Sequence, residues 1–497
     1  MARKWARSET ALAVMRATPH NRAMPIGAAY CPAPRFQALG PEFADEVAPA
    51  LFPMARLRYR NQRAAASVGL DTLTEEEWRA RFARFEPLPQ NQATPLAMRY
   101  HGHQFRVYNP DLGDGRGFLY GQVREVETGR LLDLGTKGSG KTPWSRDGDG
   151  RLTLKGGVRE VLATAMLEAL GVPTSRSFSL IETGEALARG DEPSPTRSAV
   201  LTRLSHSHIR FGTFQRLAAL GRADLIGVLI DHVVENYYPP LAEGPDKAAA
   251  LLAAIVARCA RLTARWMAAG FVHGVLNSDN MNITGESFDY GPYRFLPRND
   301  PNFVAAYFDS AGLYSFGRQP EAVFWNLRQL AGALSLAAEA EPLAAALNGF
   351  SAAYRETLTG AVMNRLGLKP GAPDADIDLV NAAFRALAEG EDALRWEPFF
   401  FDWFGGRASE ARALKGPRAA SYGGEAFAHF RSRLASHEPD RPERLAATYF
   451  AGSEPEELLY DQIETLWAAI ADADDWAPFE AKLAAIDAAR EAWGLGH

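Results

Sequence analysis

The sequence predicts an α+β fold of two lobes, with an N-terminal extension and a helical C-terminal region. Three observations carry this. Short β-type runs cluster between residues 118 and 204, interrupted by one helical segment. From about residue 225 the apolar spacing becomes helical. Between two helical stretches lies a loop rich in His, Asn and Asp, starting at His273.

The elements follow in order. Residues 1–90 read as the extension. Within it Thr74-Glu75-Glu76-Glu77 is a capping box, and Trp78, Phe82 and Phe85 then fall on one helical face. Phe118 to Val126 is strand-like, Glu127-Thr128-Gly129 turns, and Leu131 to Thr136 returns, with Lys137 closing the strand. Val158, Val161, Leu162, Ala165, Met166 and Ala169 recur at helical spacing, and Gly171 stops that helix. Short strands are expected near Ser177–Ile181 and Ala199–Leu204. Leu225 to Tyr237 and Ala248 to Ala269 read as long helices, with Gly270 in the C-cap position. Residues 91–335 therefore read as the core. Residues 336–497 read as Ala-rich amphipathic helices with aromatic breaks such as Pro398-Phe399-Phe400-Phe401.

Composition narrows the function classes. A chain of 497 residues with 47% hydrophobic and 23% charged residues can hold two or three domains. The formal net charge of −6 gives no global attraction to nucleic acid or to an anionic membrane. Cys31 and Cys259 are the only cysteines, too few for a disulfide framework or a Cys-rich zinc site. This usage fits a reducing compartment, the cytoplasm for a bacterial chain. The longest uncharged apolar run, Ala248 to Ala257, is too short to span a bilayer. The first thirty residues are Arg-rich, nearly free of acid and without a clear cleavage signal, and read as a basic arm.

The chemistry concentrates in His273-Gly274-Val275-Leu276-Asn277-Ser278-Asp279-Asn280, followed by Asp289-Tyr290-Gly291. Kinase-type loops run His-x-Asp-Leu, then an Asn five residues after that Asp, then Asp-Phe-Gly. Here the His, Leu, Asn and second Asp are in register, but Val275 replaces the base and cannot accept a proton. Asn280 and Asp289 remain as oxygen ligands for a hard divalent cation. Asp279 is the nearest carboxylate able to replace the base. The pattern points to a kinase-like nucleotide site put to different chemistry.

The strand-rich lobe supplies the matching cations. In kinases a strand Lys holds nucleotide phosphates and is oriented by a helix Glu. Lys137 and Glu160 fall in those places. Two turns, Leu112-Gly113-Asp114-Gly115-Arg116 and Asp147-Gly148-Asp149-Gly150-Arg151, offer backbone N–H groups and an Arg to phosphate oxygens. Arg203, ending a strand, and Arg210, opening a helix, are further anion candidates. Gly135-Thr136-Lys137-Gly138-Ser139-Gly140-Lys141-Thr142 satisfies the Walker A string, but Pro143 and a glycine-rich segment follow where a helix must open, so a P-loop is not expected. His101-Gly102-His103 and His206-Ser207-His208 are read as hydrogen-bonding rather than metal-binding pairs.

On these motifs, with Gly102-His103-Gln104-Phe105, Ser145-Arg146, Val158-Arg159-Glu160 and Ile209-Arg210-Phe211-Gly212, the chain resembles the selenoprotein O (YdiU) family. The resemblance runs from about residue 95 to 335 and onward. It implies a protein-kinase-like bilobal fold and protein adenylyltransferase activity. ATP would bind in an inverted pose, with the α-phosphate facing the acceptor, so that AMP goes to Ser, Thr or Tyr hydroxyls of proteins. By matched motif, Asp279 would accept the proton, Asn280 and Asp289 would hold Mg²⁺ or Mn²⁺, and Lys137 and Glu160 would form the ion pair. Gly113, Gly115, Arg116, Lys137, Asp149, Gly150, Arg203, Arg210 and Asp289 would meet the nucleotide. The chain departs from the family pattern at Arg106, where Gly is usual, at Gly140-Lys141, and at its C-terminus, where Trp493-Gly494-Leu495-Gly496-His497 carries no Cys or selenocysteine and implies no redox control from there. The alternatives are a phosphotransferase using Asp279 as base, and a nucleotide-binding scaffold without turnover.

Overall fold

A computed structural model describes residues 27–190, 192–390 and 393–495. Most of the basic arm expected over residues 1–30 lies outside them. The strand-rich lobe begins with β1 (Ala44–Glu46) and β2 (Arg56–Arg60), short helices α1 (Gln62–Ala66) and α2 (Glu75–Phe82), then β3 (Leu96–Met98) and a small hairpin, β4 (Gly102–Gln104) and β5 (Val107–Asn109). The expected hairpin follows as β6 (Leu119–Arg124) and β7 (Leu131–Lys137), then β8 (Leu152–Thr153), α3 (Leu154–Ala169), β9 (Arg176–Leu187) and β10 (Thr196–Ser205).

The main sheet runs β1-β3-β6-β7-β10-β9-β2, with β8 on β10. Its edge strands β1 and β2 come from the stretch read as an extension, so residues 44–60 are hydrogen-bonded into the lobe. Alternation along β10 sets the two faces. Val200 and Leu204 point to a core built with Trp78, Phe82 and Phe178. Trp78 stacks on Phe178 at 5.0 Å and donates its indole N–H to Ser179 Oγ at 2.8 Å. Leu201 and Arg203 take the other face, where α3 packs on β9 and β10. Gly135 pairs with Arg203 and Lys137 with Leu201, so Lys137 and Arg203 stand on the same face of adjacent strands.

The capping box at Thr74 forms as expected, its hydroxyl accepting from the Glu77 N–H. Phe85 departs from expectation. The helix ends at Phe82, and Phe85, at φ 54°, joins the same core from the following turn.

Beyond β10 the chain is helical: α4 (Phe211–Ala219), α5 (Ala223–Tyr237) and α6 (Lys247–Ala268), then a two-strand ribbon β11 (Phe271–Val272) and β12 (Arg294–Phe295), then α7 (Gln319–Leu334). Gly270 caps α6 at φ 62° as expected. Helices α8 (Ala340–Leu347), α9 (Phe350–Arg365), α10 (Pro373–Glu389), α11 (Trp396–Trp403), α12 (Glu410–Ala413), α13 (Gly424–Leu434), α14 (Tyr460–Ala473) and α15 (Ala477–Trp493) complete the chain. The aromatic run at 396–403 is thus a helix rather than a break. Pro398 is tolerated because it lies in the first turn, where N–H groups lack intrahelical partners anyway. The whole is a mixed α+β structure in which no described helix is long and apolar enough to cross a membrane.

Helices α14 and α15 return to the strand-rich lobe and pack against α3. Between them Asp474 meets Arg56 at 2.9 Å and Arg58 and Arg197 at 2.7 Å, while Lys155 of α3 pairs with Glu464 at 2.7 Å.

Candidate active site

A cavity of about 660 Å³ opens between the strand-rich lobe and the loops after α6. It is lined by both glycine-rich turns and by Lys137, Arg203, Arg210, Asp279 and Asp289. Gly113, Gly115, Arg116, Asp149 and Gly150 all reach it. Gly150 is at φ 71°, and a Cβ there would lie 2.3 Å from the Gly140 carbonyl group, so the second turn closes against the segment after β7 only with glycine. Asp149 is held by Arg189 at 2.8 Å.

The buried wall is an ionic cluster. Lys137 Nζ lies 2.8 Å from Glu160 Oε2 and 2.9 Å from Asp289 Oδ1. Arg203 Nε donates to Glu160 Oε1 at 2.5 Å, and its Nη2 to Asp289 Oδ1 at 2.8 Å. The expected Lys–Glu pair is therefore half of a four-membered cluster, in which Glu160 orients both cations from behind the cavity wall. Burial alone would raise Asp289. Lys137, Arg203 and Arg210 outweigh it and hold the carboxyl well below the usual range. Glu160 is shifted down in the same way, burial being outweighed by Arg203 and Lys137.

Arg210 caps α4 and reaches across the cavity. Its guanidinium lies between the rings of Tyr100 at 4.6 Å and Phe288 at 4.8 Å, and donates to the Asp279 carbonyl at 2.8 Å. It also faces Asp114 at 3.4 Å and Asp289 at 3.6 Å.

The Asp279 loop is latched by hydrogen bonds from the β4–β5 hairpin. His103 N–H donates to Ser278 Oγ at 2.7 Å, and Phe105 N–H to Asn277 Oδ1 at 3.0 Å. Gly102 permits the approach: a Cβ there would sit 3.0 Å from Asp279 Cβ and Oδ1. The hairpin turns through Phe105 at φ 50° and Arg106 at φ 65°. That left-handed position explains why glycine would be the easier residue at 106. Arg106 is fixed there by Glu321 at 2.7 Å and by the Trp325 ring at 5.6 Å.

Asp279 itself is buried, and its Oδ1 has no hydrogen-bond partner among the described residues. Burial pushes its carboxyl up to about 6, against the opposing pull of Arg210. Among the five aspartates lining the cavity, the two on the acidic loop segments are driven apart by their environments: Asp289 is fixed as an anion among cations, and Asp279 is raised to about 6.

Asn280 does not line the cavity. Its amide nitrogen donates to the carbonyl of Val275, the residue at the kinase base position, at 3.1 Å, which leaves Oδ1 as its acceptor end. His273 joins the two acidic segments: Nε2 faces the Phe288 carbonyl at 3.1 Å, so it carries the proton. Among the described residues no group of three or more His, Cys, Asp or Glu side chains is arranged to hold a metal. The oxygen set of Asn280 and Asp289, with the unpartnered Asp279 Oδ1 nearby, has the hard-donor character that Mg²⁺ or Mn²⁺ takes.

No helix opens at Lys141-Thr142. α3 starts at Leu154, and Lys141 is exposed. We expect Lys137→Ala to weaken nucleotide binding about tenfold or more, and Lys141→Ala to leave it unchanged. Equilibrium titration of both variants checks this, and the reverse ranking would restore the P-loop. The histidine pairs are engaged in hydrogen bonds: His101 with Tyr108, His103 with Gln215, and His208 N–H with Asp133. Sequence reasoning missed Asp114, Arg146 and Arg189 as cavity residues. Asp114 had a signal, lying between the two glycines of the first turn, and Arg146 stood in the Ser145-Arg146 motif, but Arg189 had none.

The model of the family described as protein adenylyltransferase SelO matches residues 28–487, and so takes in most of the stretch read as an extension. Proteins named protein nucleotidyltransferase YdiU are similar over most of the chain. That of Gloeobacter violaceus is 48% identical over 457 residues, covering 90% of this chain and 92% of its own. That of Synechococcus elongatus is 45% identical over 474 residues, with 90% and 93% covered. A more distant one, from Rhodopseudomonas palustris, is 37% identical over 456 residues, with 90% and 91% covered. With nearly the whole chain matched, and a cation-lined cavity holding two unlike carboxylates, this chain belongs to the SelO family of protein adenylyltransferases and is a nucleotidyltransferase.

Proposed function

We propose that the protein transfers AMP from ATP to Ser, Thr or Tyr hydroxyls of other proteins, through a kinase-like bilobal arrangement of the strand-rich lobe and the helices beyond it. The observation that carries this is the divided carboxylate pair: Asp289 ringed by Lys137, Arg203 and Arg210, and Asp279 with an unpartnered oxygen and a carboxyl near 6. A polyphosphate needs the first environment and an acceptor hydroxyl needs the second.

The deepest wall is cationic, which favours the triphosphate entering innermost and supports the inverted pose. Lys137, Arg203 and Arg210 would contact phosphate oxygens. Arg116 and Arg146, which carry no ion pair among the described residues, would add contacts from the rim. Gly113, Gly115, Asp149 and Gly150 would shape the cavity around the nucleotide. Glu160 would keep Lys137 and Arg203 aimed inward. Asn280 and Asp289 would hold Mg²⁺ or Mn²⁺, which when bound supplies further positive charge to the phosphates. Asp279 would accept the proton of the attacking hydroxyl, and its proximity to neutrality lets it take that proton without strong preference for either state.

The test is paired labelling with ATP carrying the radiolabel on the α-phosphorus or on the γ-phosphorus, incubated with Mg²⁺ or Mn²⁺ and a cell lysate. Protein labelled only from the α position is expected. Label only from the γ position would make the enzyme a phosphotransferase with Asp279 as base.

A further inference from the structure

A second cavity, of about 490 Å³, lies away from the nucleotide site. Its walls are the turn of the β6–β7 hairpin, the end of α5, one face of α6, and the crossover residue His206. Five arginines line it: Arg124, Arg130, Arg258, Arg261 and Arg265. Glu235 is the one carboxylate among its described lining residues.

Elsewhere in this protein arginines are mostly matched to acids. Here only Arg130 is, with Glu125 at 2.6 Å. Arg124 donates to the Gly129 carbonyl at 2.9 Å, and Arg258 lies over the Tyr238 ring at 4.0 Å with a long contact to the Tyr237 carbonyl at 3.5 Å. Arg261 and Arg265, one turn apart on α6, carry no ion pair among the described residues. Burial and the neighbouring Arg261 both weaken the hold of Arg265 on its proton, as expected for an uncompensated charge. A buried acid behind the cavity, Glu286, accepts the His206 N–H at 2.9 Å, but burial pushes it up to about 8, so at neutral pH it supplies little negative charge.

Such a set of cations in a partly enclosed space repel one another unless an anion joins them. Leu131, Pro173, Pro239 and Leu262 provide apolar wall beside the charges, and the volume falls within the ordinary range of small-molecule sites, about 300–1,000 Å³. An extended polyanion does not fit a bounded cavity on a chain of net charge −6. We propose that this second cavity binds a small ligand through a phosphate or pyrophosphate group, gripped by Arg261 and Arg265 with Arg124 and Arg258. The occupant would touch the hairpin that carries Lys137 at its far end and the helix that leads into the Asp279 loop. This site does not depend on the transfer chemistry proposed above.

The experiment is calorimetric titration of the full chain with inorganic pyrophosphate and, separately, with AMP, at fixed ionic strength. Three proteins are compared: wild type, Lys137→Ala, and the double variant Arg261→Gln, Arg265→Gln. Both α6 arginines are at least partly exposed, so the double variant is expected to fold, and circular dichroism confirms it. Two equivalents are expected in wild type. Lys137→Ala weakens one of them. The double variant weakens the other about a hundredfold and leaves the Lys137-dependent one intact. AMP binding more tightly than pyrophosphate at the arginine site assigns a phosphate on an organic body; the opposite order assigns a free inorganic anion. A single equivalent that Lys137→Ala removes, or a second that the double variant leaves untouched, overturns the proposal.

Discussion

Asp289→Ala protein is expected to lose transfer of α-phosphate label by about 10²–10³-fold or more, because this one carboxylate organises the buried wall of the cavity. Lys137 and Arg203 both bond to its Oδ1, and Arg210 faces Oδ2. Removing it leaves cations that repel each other and takes away a proposed metal ligand. Stability should fall as well, by about 3 kcal/mol or more, since the partners stay buried without their counter-charge. The pH dependence follows from the depressed carboxyl. The stabilisation it brings is present above the ordinary Asp value of about 4 and is lost as pH falls through the lower folded value. The difference in unfolding free energy between wild type and Asp289→Ala should therefore shrink under strongly acid conditions. Asp289→Asn, which keeps the shape, separates charge from packing. Full label transfer by either variant would remove Asp289 from the mechanism.

Asp279→Asn should give the opposite pattern: loss of transfer with a gain in stability. Transfer should fall by about 10²–10⁴-fold, the usual contribution of a general base, while ATP affinity changes little. The gain arises because burial has raised this carboxyl to about 6. For an acid raised on folding, the neutral form is favoured in the folded state. No penalty exists below the unfolded value near 4. It grows as pH rises, and is complete above about 6, where it amounts to about 3 kcal/mol. Nucleotide-free and metal-free Asp279→Asn should then resist denaturant better than wild type at pH 8 and equally at pH 4. A variant that loses ATP binding but keeps transfer would sink the proton-accepting role.

The contrast between these two residues also marks what the sequence could convey. Lys137 at the end of β7, Glu160 on α3 and the capped helix α6 were legible because each rests on local periodicity and turn chemistry. The coupling of Arg203 to Glu160 was not. It depends on strand register, with Gly135 opposite Arg203, which no local pattern states. Strands β1 and β2 were missed for a related reason: Ala-Asp-Glu is too short to show a pattern, and the alternation in Arg-Leu-Arg-Tyr-Arg is brief and heavily charged, so pairing at the sheet edges completes what the sequence only hints at. Arg258, Arg261 and Arg265 look like the solvent face of an Ala-rich helix, and only the tertiary fold brings Arg124 and Arg130 of the β6–β7 hairpin to the same cavity. The helix at 396–403 was hidden by its proline, harmless in a first turn.

The return of α14 and α15 to α3 bears on how the enzyme is made. During synthesis the strand-rich lobe leaves the ribosome early, yet the outer side of α3 stays uncovered until these late helices arrive. Val161, Leu167 and Leu170 on or beside α3 belong to the same core as Ile486 and Trp493 of α15. A nascent chain halted before Asp474 also lacks the acid that ties Arg56, Arg58 and Arg197 together. The helix that aims Lys137 is thus covered on both sides only once α14 and α15 have been made.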